Sequence, residues 1–167
     1  MIKFYNEFLS PDALFYARRL STEIYYSPDC NLKTNAAWDD GLILSSFPII
    51  SHVIQDETLI QILDMHLKNI FPDVTYNACF HYFTQFSFIP WHDDTTHDAA
   101  MTIYLNDVDE NSGGYFMYKE DGEIKAIQPK TNLAIFNKDV EHCTSAVHAN
   151  SKLRQSIQIF FKKDLTN

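Results

Sequence analysis

From Pro72 onward the chain is cut into short apolar segments, VTYNACFHYF, FSFIPW, AAMTIYLN, GGYFMYKE, EIKAIQP, NLAIF and LRQSIQIFF, and this segmentation restricts the possible folds more than any other feature. The segments are rich in aromatic and β-branched residues, and turn-forming stretches such as NSGG, EDGE and PKTN separate them. Two helical segments come first. Seven or more strands after two helices imply an α+β chain, mainly β, whose second half forms a sandwich or barrel.

The first helix is announced by Ser10-Pro11-Asp12, with Ser10 as N-cap and Pro11 at the first helical position, and ALFYARRLSTEIYY continues at helical spacing. A second runs from about Asp56 to Ile70, with Leu59, Ile62, Leu63, His66, Leu67 and Ile70 on one face. Between them, Tyr26 to Phe47 is polar and irregular, and a connection of that length is more often functional than inert. Trp38 in it is either a loop anchor or a substrate contact. At 167 residues the chain reads as one domain, helical support over about 1–72 and a β core over about 73–163.

The net charge of −9, with Lys and Arg scattered, lacks the electrostatic footprint of a nucleic-acid binder. Cys30, Cys79 and Cys143 are odd in number and widely spaced, which argues for a reducing compartment and against a disulfide framework. No signal-peptide pattern opens the sequence, and no apolar run approaches the ~20 residues that span a bilayer. The expectation is a soluble, cytoplasmic protein without membrane partners.

Chemistry concentrates in FIPWHDDTTHDAAMTIYLN, residues 88–106. On extended backbone His92 and Asp94 share a face and Asp93 points away. Alone the pattern is weak, because this composition yields HxD about 0.6 times by chance. One further His would complete a facial triad for non-haem Fe(II). Of His52, His66, His81, His97, His142 and His148, His142 stands apart, placed between the strand NLAIF and the β-like HCTSAV. His66 reads as a core or boundary residue, and Asp93, His97, Asp98 and His148 as solvated turn residues. Arg154 and Ser156 share the polar face of the last strand. An Arg directed into a barrel requires either a bound acid or an internal Asp or Glu.

In combination these segments resemble the Fe(II)- and 2-oxoglutarate-dependent dioxygenases, most closely their prolyl-hydroxylase-like branch, over about Val74 to Lys162. WHDD resembles the HxD element, AMTIYLND the strand after it, NSGGYFMY the Gly-Gly strand, and IQPKTNLAIFN the strand before the distal His. HCTSAVHANSKLRQSIQIFF resembles the distal His with its Arg-x-Ser, although SAVHANSKLR lacks the usual Pro and Gly. The resemblance implies a double-stranded β-helix (jelly-roll, cupin-like) with the N-terminal helices packed outside one sheet. It implies His92, Asp94 and His142 as iron ligands and Arg154, with Ser156, Tyr104 and Tyr82, as 2-oxoglutarate contacts. The two tyrosines read equally as core aromatics.

The implied activity couples oxidative decarboxylation of 2-oxoglutarate, with dioxygen as second cosubstrate and ascorbate as an accessory reductant, to hydroxylation of a substrate C–H bond. A peptidyl residue, proline first, is the expected substrate, approached through the 27–47 loop and the turn from Asp93 to Ala99. Two rivals share the segments: a nucleic-acid demethylase of the alkylation-repair type, which the charge disfavours, and a non-catalytic metal-binding β-barrel acting as an interaction module. A carboxylate at Asp94 disfavours a halogenase.

Overall fold

A computed structural model describes residues 1–28, 33–34, 49–94, 96–109 and 111–162. Its strands are β1 (Ile2–Tyr5), β2 (Lys33–Thr34), β3 (Ile49–Val53), β4 (Tyr76–Phe83), β5 (Ile89–His92), β6 (Ala99–Tyr104), β7 (Phe116–Glu120), β8 (Glu123–Ile127), β9 (Ala134–Asn137), β10 (His142–Thr144) and β11 (Arg154–Phe161). The helices are α1 (Pro11–Tyr26) and α2 (Glu57–Lys68). Strand order is β1-β9-β6-β11-β4-β3-β2 in one sheet and β5-β10-β7-β8 in the other. This is the double-stranded β-helix arrangement of two facing antiparallel sheets.

Both helix starts follow their local chemistry. The Ser10 hydroxyl accepts from the backbone N–H of Ala13 at 3.3 Å, and the Asp56 carboxylate accepts from Leu59 N–H at 2.7 Å. Asp56 also accepts from the Tyr16 hydroxyl, which ties the start of α2 to α1. His66 joins them again: its Nδ1 bonds the Ile62 carbonyl, leaving Nε2 to accept from Ser10 N–H.

The helices cover one face of the larger sheet. Ala13 and Ala17 of α1 and Leu59, Leu63 and Leu67 of α2 pack with Phe80, Tyr82, Met101, Ile103, Ile157 and Ile159 in the main core. The same strands present His81, Phe83, Thr102, Tyr104, Arg154, Ser156 and Gln158 on the opposite face, as period-2 alternation requires. That inner face meets the smaller sheet.

The first 72 residues are more than helical support, because β1 pairs with β9 and β3 with β4, so the N-terminal region completes both sides of the larger sheet. IKFY and IISHV are too short to declare themselves as strands locally. They are strands because β9 and β4 offer them open edges. The 27–47 connection, with Cys30 and Trp38, falls almost wholly outside the described residues; Cys79 and Cys143 are buried free thiols. Among the described residues no helix is long and apolar enough to cross a membrane.

Candidate metal and anion site

His92 ends β5 and His142 begins β10, and the two lie opposite each other in the pairing of these strands. Asp94 follows two residues after His92, half-buried, while Asp93 is exposed. The potential ligand atoms of His92, Asp94 and His142 all lie within 4.8 Å of one another. His92 Nε2 is 3.8 Å from Asp94 Oδ1, and His142 Nε2 is 3.6 Å from Asp94 Oδ2.

The tautomers suit a metal. His92 Nδ1 donates to the Pro90 carbonyl at 2.8 Å, and His142 Nδ1 donates to the Val140 carbonyl at 2.9 Å. Each bond commits Nδ1 to the backbone and directs Nε2 at the cluster. Burial, reinforced by the nearby His92, lowers the pKa of His142, and Asp94 opposes this. Two imidazoles and one carboxylate form the donor set of a non-haem Fe(II) centre with open coordination positions.

Arg154, 2% exposed, lines the same pocket. Its guanidinium carbon sits 4.2 Å from the centre of the Phe83 ring and 4.8 Å from that of Tyr104, and Nη1 donates to the Gly114 carbonyl. No carboxylate pairs with it among the described residues, which removes the internal-partner alternative there. Arg154 Nε, the Tyr104 hydroxyl and the Ser156 hydroxyl are all buried with no hydrogen-bond partner among the described residues. The neighbouring Thr102 and Gln158, by contrast, satisfy each other at 2.6 Å. Burial raises the pKa of Tyr104 although Arg154 opposes the shift, so its hydroxyl remains a donor at neutral pH. A buried guanidinium with an unmet N–H, beside the unmet Tyr104 hydroxyl in one pocket, fits an anionic ligand, and a carboxylate matches the guanidinium fork.

The Gly113-Gly114 pair makes this approach possible. Both residues have positive φ, 68° and 66°, and a Cβ on Gly114 would stand 3.2 Å from Arg154 Nη1. On Gly113 it would stand 2.1 Å from the Ala146 carbonyl oxygen.

The structure does not bring Tyr82 to the pocket. It sits on the helix-facing side of β4 and its hydroxyl donates to the Ser21 carbonyl of α1 at 2.9 Å, so its place is in the main core. The inward positions of β4 belong to His81 and Phe83. His81, opposite Ser156 in the β4–β11 register, is buried, and desolvation together with the Arg154 charge lowers its pKa to about 3. His97 is not a solvated turn residue: its ring lies 4.6 Å from that of Phe160, and Nε2 is buried. His148 is exposed, as expected of a turn. Sequence reasoning gave no role to His81 or Asn137. The offset of two from Phe83 was the available signal for His81, and it becomes informative only once the inward face is known.

No family model and no curated protein matches the sequence. Solved structures match its shape throughout. A Pseudomonas putida prolyl-4-hydroxylase matches with a TM-score of 0.72 and 15% identity, over 98% of this chain and 92% of that one. A Trichoplax adhaerens prolyl hydroxylase, in complex with a peptide fragment of the hypoxia-inducible-factor oxygen degradation domain, gives 0.77 and 13%, over 96% and 83%. The viral collagen prolyl hydroxylase of Paramecium bursaria Chlorella virus-1, in its 2OG complex, gives 0.70 and 13%, over 96% and 94%. At these identities the likeness establishes a shared fold.

Proposed function

We propose that the protein is an Fe(II)- and 2-oxoglutarate-dependent dioxygenase that hydroxylates a C–H bond of a peptidyl residue, proline first. One observation carries this reading: a His-Asp-His donor set, the buried Arg154 with no carboxylate partner among the described residues, and the unmet Tyr104 hydroxyl all line the same pocket. His92, Asp94 and His142 would hold Fe(II). Arg154, with Tyr104 and Ser156, would take the distal carboxylate of the 2-oxo acid. Iron held there would supply the redox chemistry that couples oxidative decarboxylation of 2-oxoglutarate to oxygen insertion.

The chain's own contribution is placement. Backbone carbonyls fix the orientation of both imidazoles, and Arg154 would hold a carboxylate of the acid in the pocket that the triad lines. Phe83, Ile89, Phe116, Ile135 and Phe160 line the pocket and exclude water around the reacting groups. The peptide preference draws support from the peptide-bound Trichoplax adhaerens neighbour. The net charge of −9 weighs against a nucleic-acid substrate.

Anaerobic titration with Fe(II) and 2-oxoglutarate tests the cofactor assignment. A weak visible charge-transfer band is expected in the wild type and is lost in His142→Ala. Iron binding without the band would remove the oxygenase reading. A screen of proline-containing peptides, read as succinate and hydroxyproline formed in equal amounts, tests the substrate class.

A further inference from the structure

Asn137 ends β9, a strand that is otherwise apolar, and it is buried with 4% exposure. Its neighbours in register are Ile2 on β1 and Ala100 on β6, neither of which calls for an amide. The side chain reaches into the pocket that holds the triad. There Nδ2 donates to Asp94 Oδ2 at 3.1 Å. A carboxylate only accepts, so this contact also sets which way the amide faces. Nδ2 lies 3.1 Å from His142 Nδ1 as well, whose proton is given to Val140, and 3.5 Å from His142 Nε2, at the limit of a hydrogen bond, so Asp94 Oδ2 is its best-placed acceptor.

Asn137 Oδ1 is buried with no hydrogen-bond partner among the described residues. A buried amide with an unmet acceptor is unfavourable compared with an apolar residue of the same shape. The fold alone therefore gives no reason for Asn at this position, and its contact with Asp94 does.

We infer that Asn137 is a positioning residue for the metal centre: by holding Asp94 Oδ2 it leaves Oδ1, the oxygen facing His92 Nε2, as the metal-binding atom. A carboxylate engaged this way binds through one oxygen and keeps coordination positions free for other ligands. This inference rests on the metal-centre reading above and adds a residue to it.

The test measures Mn(II) affinity by electron paramagnetic resonance of the free ion, with no cosubstrate, in wild type, Asn137→Leu and Asn137→Ala. The Co(II) visible spectrum and the metal-free unfolding midpoint are recorded alongside. Both substitutions are expected to weaken Mn(II) about 10- to 100-fold, the usual effect of removing a partner that orients a ligand. The Co(II) bands should move as Asp94 changes its binding mode, with the metal-free midpoint of at least one variant unchanged or raised. Mn(II) affinity within about 2-fold of wild type in a folded variant would overturn the role of Asn137 while leaving the metal centre standing. So would unaltered Co(II) bands, or affinity and metal-free stability falling together in both variants. Wild-type Mn(II) binding that is indifferent to Asp94→Ala would overturn the metal centre itself.

Discussion

Replacing Arg154 with Met separates a ligand-binding role from a structural one, because the two predict opposite signs for the unliganded protein. Arg154 is buried and donates to the Gly114 carbonyl, with Nε unmet and no paired carboxylate among the described residues. An unpaired buried cation is costly, and the stacking on Phe83 and Tyr104 returns only about 2 kcal/mol. Met keeps the length and apolar contact without the charge, so the metal-free, acid-free variant should be no less stable than wild type by more than ~1 kcal/mol, or about 2–4 °C at this chain length. Ligand binding should behave oppositely. Two charge-assisted hydrogen bonds at about 1.5–3 kcal/mol each amount to roughly two to four decades in Kd.

Thermal unfolding under argon with Mn(II) and graded 2-oxoglutarate reads both effects. At ~100 times its Kd the acid stabilises wild type by about 2.7 kcal/mol, a shift of roughly 5–10 °C. At the same concentration the variant should shift by less than ~2 °C. A ligand-induced shift that survives in Arg154→Met, or an unliganded variant destabilised by more than ~3 kcal/mol, would refute the reasoning.

Acid should act through His81. Its native pKa is near 3, so below the ordinary value of about 6.5 the unfolded chain binds a proton that the native state does not. Stability is then lost as pH falls from 6.5 toward 3, by up to ~1.4 kcal/mol per pH unit. Urea unfolding at several pH values should show a shallower dependence in His81→Gln, and an identical slope in both proteins would count against a neutral buried His81. Tyr82→Phe removes the bond to the Ser21 carbonyl and should cost about 0.5–1.5 kcal/mol in chemical denaturation. It should leave the affinity for 2-oxoglutarate unchanged, and a fall in that affinity would return Tyr82 to the site.

Much of the site could be read in the linear chain because its determinants are local. Ser10-Pro11 and Asp56 set the helix starts through their own side chains. His92 and Asp94 come together because they are two residues apart on extended backbone. Short aromatic and β-branched segments between turn residues could build little other than paired sheets. Arg154 stood out as a cation on the polar face of an otherwise apolar strand, where burial would call for either a bound acid or an internal Asp or Glu.

What the sequence left open depends on pairings between distant segments. Alternation divides β4 into two faces, His81 with Phe83 and Tyr82 with Phe80, but it does not say which face is inward. The register of β11 against β4 and β6 decides that, setting Ser156 between His81 and Tyr104 and sending Tyr82 to the helices. The meeting of Asn137 with Asp94, 43 residues earlier, likewise exists only once the two sheets close on one another. Backbone preferences act over a few residues, whereas a pocket is made by strands whose nearness depends on the fold as a whole.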